Sequence, residues 1–396
     1  MFLDALRSRN PGLINATITL HQAGKLPANT FVLDLDAITR NAQIISAEAT
    51  RLGLTVFAMT KQIGRNPDVS KALIEAGIPA SVAVDMACAR ATVAAGMQLG
   101  HLGHLVQVPR AEAAAAAAMA PHNWTVFSDD KAEEAAAAAH DLGRSQRLLA
   151  RVQDVGDEFY SGHEGGFDAA RIVDVADRLD ALNGGHFGGI TTFPALVFDT
   201  ETRAIRQTKN LRTLERTAEA LRNSGRRDFQ VNAPGTTSTI MLEALAGAGA
   251  TQVEPGHALT GTTPLHAYRD DVPETPAVCY LSEVSHFARG RAYCFGGGMY
   301  VDPVFPPYQM RALVGADADT VHQVDVELPP ATAIDYYGQL DPDETTIRTG
   351  DSVVFGFRIQ AFVTRGYTAA VSGISSNTPR VQNIWFADGS PTTWPI

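Results

Sequence analysis

From about residue 31 to 258 the chain repeats one unit, a short apolar run, a polar loop and an amphipathic stretch, about every 25 residues. Apolar runs fall at 54–60, 80–85, 104–108, 123–127, 147–154, 187–192, 228–233 and 251–254. Helical patterns lie near 36–51, 67–76, 86–97, 110–119, 130–142, 167–182, 201–224 and 237–247. Eight strands alternating with helices predict an α/β fold, a (β/α)8 TIM-type barrel over 31–258. A doubly wound sheet would need fewer strands and usually a Gly-rich first turn, whereas the first turn here is Lys-Gln-Ile-Gly-Arg-Asn-Pro. After about residue 259 proline, glycine, β-branched and aromatic residues cluster and alternate, which predicts a mainly antiparallel β domain over 259–396. Residues 1–30 are a candidate addition to that domain.

A chain of 396 residues is long enough for a large domain plus a smaller one. Its net charge of -11 argues against nucleic acid or an anionic membrane as the main partner. Three cysteines, 88, 279 and 294, without a CxxC pair fit a reducing cytoplasm. The N-terminus has no core of signal-peptide length, and no apolar stretch reaches a membrane span. The alanine runs at 113–118 and 135–139 read as surface helices.

Chemistry in such a barrel sits at the C-terminal ends of its strands. The first apolar run ends at Lys61, one of five lysines among 32 basic residues. Unlike arginine, lysine can lose its charge when desolvated and act as an amine nucleophile; the bland alternative is a lysine that snorkels into solvent. The seventh run ends in Gly235, Thr236, Thr237, Ser238 and Thr239, offering flexible amides and four hydroxyls where a helix is expected to begin. Such an end binds an anion, usually phosphate, although one hydroxyl would suffice for an ordinary cap. The cofactor that uses both an amine and a phosphate cradle is pyridoxal 5'-phosphate (PLP).

These motifs resemble those of the fold-type III PLP enzymes: alanine racemase, ornithine racemase, D-threonine aldolase and D-serine dehydratase. Within that group the chain looks like the bacterial YhfX-like family. The resemblance rests on FVLDLDAITRNA (31–42), VFAMTKQIGRNP (56–67), DVGDEFYSGHEGGF (154–167), GGITTFP (188–194), APGTTST (233–239) and VEPGHALTGTTP (253–264). It implies a PLP barrel with a β domain, normally a homodimer with the active site at the interface. Lys61 takes the place of the Schiff-base lysine, and residues 235–239 that of the phosphate loop. Phe193 falls near the position of a histidine beside the cofactor ring.

Glu254 departs from alanine racemase, where an arginine faces the pyridine nitrogen. A carboxylate there would raise the pKa of that nitrogen and keep it protonated, giving a better electron sink; the alternative is a solvated or capping Glu. The arginine that helps bind substrate in alanine racemase would fall near Phe159. Asp157 and Glu158 sit there instead, and imply a substrate with a second cationic group, or simply a solvated acidic loop. Arg358 and Gln360 stand where D-serine dehydratase and D-threonine aldolase carry metal ligands, so no catalytic metal is expected.

Racemisation also needs an acid/base on the opposite cofactor face, a tyrosine from the partner's β domain in alanine racemase. Cys294 and Tyr300 are the leading candidates here, with Tyr293, Tyr336 and Tyr337 behind them; for each of these, packing is the simpler role. His257, His163, Glu283 and His286 are further polar candidates. The expected function is a cytoplasmic, PLP-dependent amino-acid racemase. A metal-independent PLP lyase or decarboxylase, and a non-catalytic PLP-binding protein, are the alternatives.

Overall fold

A parallel sheet leaves backbone groups unpaired along both edges unless it closes on itself. The computed structural model describes residues 1–302, 304–341 and 347–394, and in it the run at 54–60 makes that closure. Thr55 and Val56 pair with Gln252 and Val253 on one side, while Ala58 and Met59 pair with Ser81 and Val82 on the other. The bonds Phe57 N to Val253 O (3.0 Å) and Met59 N to Pro255 O (3.0 Å) extend the first seam.

The barrel strands are β1 (55–59), β2 (Ala80–Ala83), β3 (Gln98–Leu102), β4 (Asn123–Val126), β5 (Gln146–Gln153), β6 (Gly185–Thr191), β7 (Gln230–Asn232) and β8 (Gln252–Val253). They belong to one compact unit, Gln43–Thr60 with Leu73–Gly256. Its core joins Phe57, Val82, Leu99, Leu148, Ile190, Val231 and Val253 from the strands to the inner faces of the helices. The alanine runs do form helices, Ala113–Ala118 and Asp129–His140. They are less superficial than expected, because Ala132, Ala135, Ala136 and Ala139 make a buried stripe at helical spacing.

Two elements differ from the expectation. The third strand is Gln98–Leu102 rather than 104–108, and Val106 is exposed. Gly100 sits mid-strand because a Cβ there would lie 2.3 Å from the Phe57 ring. The expected helix at 201–224 begins only at Lys209, capped by the Thr208 hydroxyl. Before it, Leu196–Asp199 and Ala204–Gln207 form a hairpin whose turn is held by Glu201 and Thr202 amides donating to Asp199 Oδ1.

The second unit comprises Met1–Ala42, Lys61–Ala72 and His257–Ile396. Its nine-stranded sheet runs in the order Arg291–Phe295, Tyr337–Asp341, His322–Glu327, Met310–Gly315, Ser352–Phe355, Val278–Ala288, Thr30–Asp34, Tyr367–Ser372 and Arg380–Phe386. Val278–Ala288 also pairs with Arg291–Phe295, so the first six strands close into an antiparallel barrel. Thr30–Asp34 pairs antiparallel with Val278–Ala288 and parallel with Tyr367–Ser372.

Residues 1–30 form helices Phe2–Arg9 and Pro11–Gln22, whose Leu6, Leu13 and Ile18 pack with Val32, Leu281 and Val354. Asn10 caps the second helix by accepting from Leu13 N, and its amide donates to Asp34 Oδ2 at 2.8 Å. No helix among the described residues is long and apolar enough to cross a membrane.

Phe57 lies at the closure seam and is 2% exposed. Phe57→Ala is expected to cost about 3–5 kcal/mol through the lost ring and the cavity it leaves. A thermal-unfolding midpoint indistinguishable from the parent's would contradict this account of the seam.

Candidate active site

The C-terminal ends of the barrel strands gather a buried polar cluster. Glu254 follows β8, and its side chain is 1% exposed. His101, near the end of β3, places Nδ1 2.5 Å from Glu254 Oε1 and Nε2 2.6 Å from Thr125 Oγ1 on β4. Asn232, ending β7, donates to the same Oε1 at 2.9 Å, and its own Oδ1 accepts from Thr191 Oγ1 of β6 at 2.8 Å. Glu254 Oε2 has no hydrogen-bond partner among the described residues, and His104 Nε2 lies 3.5 Å from it.

Burial pushes the Glu254 carboxyl up. The fields of His104 and His101, with hydrogen bonds from His101 and Asn232, outweigh burial and bring it to about 2. It is therefore an ionised carboxylate at neutral pH.

His101, His104 and Glu254 offer ligand atoms within 4.8 Å of one another, a set that could hold a metal ion. Two of those atoms, His101 Nδ1 and Glu254 Oε1, are joined to each other by a hydrogen bond.

Phe193 follows β6 and packs edge-on against His104, with ring centroids 5.3 Å apart, and against Tyr160 and His163. Arg151 on β5 is 1% exposed and lies over the Phe127 ring at 4.5 Å. Burial lowers its pKa to about 10, with Glu164 pulling the other way, and its Nε and Nη1 have no partner among the described residues.

The loop after β7 starts at Gly235, where a Cβ would sit 2.6 Å from Leu196 N. Thr236 N donates to Leu196 O, and the buried Ser238 hydroxyl has no partner among the described residues. The expected helix start is a 3-10 turn, Thr239–Met241, followed by the short helix Leu242–Gly247. Asp157 and Glu158 are already engaged. Asp157 accepts from Thr213 Oγ1 and from Asp154 N, and Glu158 forms a forked ion pair with Arg206.

In the other unit, Lys61 opens a 3-10 turn, Lys61–Ile63, two residues beyond the end of β1. Its Nζ lies 5.2 Å from the centroid of the Phe362 ring, which Arg65 also faces at 5.7 Å. His257 is buried and its Nε2 donates to Ile359 O at 2.9 Å. Burial, followed by Arg358, holds its pKa well below the ordinary value, so the ring is neutral. Arg358 and Gln360 both donate to Asp302 Oδ2. Cys294 is fully buried, and burial pushes its thiol up to about 12. Tyr300 is 43% exposed. Tyr293 stacks on His286 at 4.7 Å, and Tyr337 packs edge-on against it. Glu283 pairs with His21 at 3.1 Å.

Sequence reasoning misses His101, His104, Thr125, Asn232 and Arg151. Arg151 carries a signal, a lone arginine inside the apolar run 148–152. The two histidines are hidden by the misplaced third strand.

The chain is similar to the alanine racemase N-terminal domain over residues 33–264 and to the YhfX-like C-terminal domain over 279–381. It is 38% identical over 382 residues to the uncharacterized protein YhfX of Escherichia coli (strain K12), covering 96% of this chain and 97% of that one. Among solved structures it resembles D-threonine aldolase from Filomicrobium marinum, with a TM-score of 0.66, 16% identity, and 92% and 96% of the two chains covered. D-threo-3-hydroxyaspartate dehydratase from Delftia sp. HT23 matches at 0.67 and 19%, over 90% and 97%. Alanine racemase of Clostridium difficile 630 matches at 0.66 and 14%, over 91% and 99%. At such identities the structural likeness is one of fold. Enzymes of this fold-type III group use PLP.

Because the folded-state value of Glu254 lies below the ordinary 4.5, the carboxylate stabilises the fold above that pH. That contribution, on the order of 3 kcal/mol, is lost as the pH falls from 4.5 towards 2. Acid unfolding followed by circular dichroism should therefore be shallower across that window in Glu254→Gln than in the parent. Identical acid limbs would show that the carboxylate is not held as described.

Proposed function

We propose, for a chain that belongs to the alanine racemase N-terminal domain family and carries a YhfX-like C-terminal domain, that it is a PLP-dependent enzyme acting at the Cα of an amino acid, with racemisation as its reaction. The observation that carries the PLP part of this reading, and that serves a lyase or decarboxylase equally, is the buried, ionised Glu254 carboxylate after β8, with one oxygen left unpartnered among the described residues. The donor set also fits the cofactor. Gly235 leaves no room for a side chain beside Leu196, and the Ser238 hydroxyl awaits a partner.

In this proposal Lys61 holds the cofactor aldehyde, and Gly235, Thr236, Thr237, Ser238 and Thr239 hold its phosphate. Phe193 would pack beside its ring, and Glu254 would accept a hydrogen bond from its protonated ring nitrogen. Bound there, PLP supplies an electron sink for the charge left at Cα when its proton departs. The Lys61 amine takes or returns that proton on one face. Of the two candidates for the other face, Cys294 is fully buried and Tyr300 is 43% exposed, so Tyr300 is assigned this role, contributed by a second copy in a homodimer. The neutral His257, near the Lys61 charge, lines the substrate position. Asp157 and Glu158, through their bonds to Thr213 and Arg206, shape the loop after β5.

The test uses purified protein reconstituted with PLP and a panel of D- and L-amino acids in deuterated water, with ornithine, lysine, alanine, serine and threonine first. Cα exchange with inversion, abolished at least 10³-fold in Lys61→Ala, is the expected result, from the ~10²–10⁴-fold typical of a positioned acid/base plus the lost covalent anchor. Release of a keto acid, aldehyde or amine would make the enzyme a lyase or decarboxylase. Absence of exchange with every amino acid would leave a binding protein.

A further inference from the structure

Two chains of hydrogen bonds, each headed by a threonine hydroxyl, converge on one oxygen of Glu254. The first runs from Thr125 through His101, and the second from Thr191 through Asn232. Four barrel strands supply the four residues, and all are buried. The second chain has a fixed direction. The Thr191 hydroxyl donates to Asn232 Oδ1, so the Asn232 amide faces Glu254 as a donor.

The direction of the first chain follows from counting donors and acceptors. Glu254 is an acceptor, so the proton in the 2.5 Å contact rests on His101 Nδ1. Among the described residues, Thr125 Oγ1 has His101 Nε2 as its hydrogen-bond partner, at 2.6 Å. A hydroxyl hydrogen with no acceptor is costly in a buried site. It is satisfied only if the hydroxyl donates and Nε2 accepts.

We propose that Thr125 and Thr191 act as the heads of two directed relays, Thr125 Oγ1–H to His101 Nε2 with His101 Nδ1–H to Glu254 Oε1, and Thr191 Oγ1–H to Asn232 with its amide to the same Oε1, which saturate Oε1 and reserve Oε2 for the cationic N–H of a heteroaromatic ring. His101 and Thr125 are positioning residues in this arrangement. The relay keeps the imidazole in its Nδ1–H form, so His101 orients the carboxylate without cancelling its charge. A cationic His101 would neutralise Glu254 and weaken its hold on a second proton. The ring in question is that of PLP, so this part rests on the proposed function.

The experiment compares the parent with Thr125→Ser, Thr125→Val, His101→Gln and Glu254→Gln, each checked for cooperative unfolding. Nitrogen-15 spectra of histidine-labelled protein without cofactor read the tautomer of His101, assigned by its loss in His101→Gln. The relay requires Nδ1–H in the parent and in Thr125→Ser, and an Nε2 signal in Thr125→Val shifted to that of a nitrogen with no hydroxyl donor. An Nε2–H or doubly protonated ring in the parent overturns it, as does a stoichiometric divalent metal whose binding is lost with Glu254.

Ring-nitrogen-labelled PLP is then added. A protonated ring nitrogen is expected in the parent and in Thr125→Ser, and an unprotonated one in Glu254→Gln. Thr125→Val should show a shift towards the unprotonated position, with PLP affinity on the order of tenfold weaker, as for other outer partners that orient a binding group. An unchanged ring signal in Thr125→Val overturns the role assigned to the relay. If the parent takes up no PLP, the proposed function and the ring-binding half of this inference fall together, while the histidine spectra still decide the relay itself. Should His101→Gln not fold, the two Thr125 variants carry the test, since Ser and Val differ from Thr by one group each.

Discussion

Closure of the parallel sheet through β1 is the constraint on which the barrel unit depends. A parallel strand has nowhere to put its edge donors and acceptors except against another strand, and β1 satisfies β8 and β2 with its two halves. The hinge between those halves is Phe57, whose ring takes the space a side chain at position 100 would need. One aromatic residue thus dictates a glycine two strands away. With the ring of strands complete, all eight C-terminal ends point the same way, which brings His101, Thr125, Thr191, Asn232 and Glu254 together from distant parts of the chain.

A charge placed in that setting is expensive. An ionised carboxylate in a dry interior must be compensated by donors and nearby positive potential. The barrel meets this with two neutral relays on one oxygen and a histidine 3.5 Å from the other. The arrangement is polar but economical, because each relay begins at a hydroxyl that has its own acceptor. Arg151 is the counterpart of opposite sign. It is also buried, and aromatic faces, the His163 carbonyl and the field of Glu164 compensate it.

Much of this is legible in the amino-acid sequence itself. The alternation of runs leads to the barrel, because period and length are local properties. Lys61 stands out because a lysine closing an apolar strand is rare in an arginine-rich chain. Glu254 stands out because it interrupts a motif. The third strand escapes for a physical reason: Gln98-Leu99-Gly100-His101-Leu102 carries a glycine demanded by a distant ring and a histidine demanded by a distant acid. Both requirements are tertiary, so a search for apolar periodicity slides to the next aliphatic run. The hairpin at 196–207 is absorbed into a helix because its turn depends on one aspartate accepting two amides. Phe31–Asp34 falls inside the expected barrel range 31–258, yet its pairing partners lie hundreds of residues further along the chain.

That last pairing has a consequence for synthesis on the ribosome. The barrel unit is complete in the nascent chain once Gly256 has emerged. Thr30–Asp34 must wait for its parallel neighbour, Tyr367–Ser372. At ~5–20 residues/s the interval is on the order of ten seconds. Throughout it, the edge of this apolar strand that faces Tyr367–Ser372 stays open, although its other edge gains Val278–Ala288 earlier. The N-terminal segment is therefore the part of this protein that a holdase chaperone would have to shelter longest.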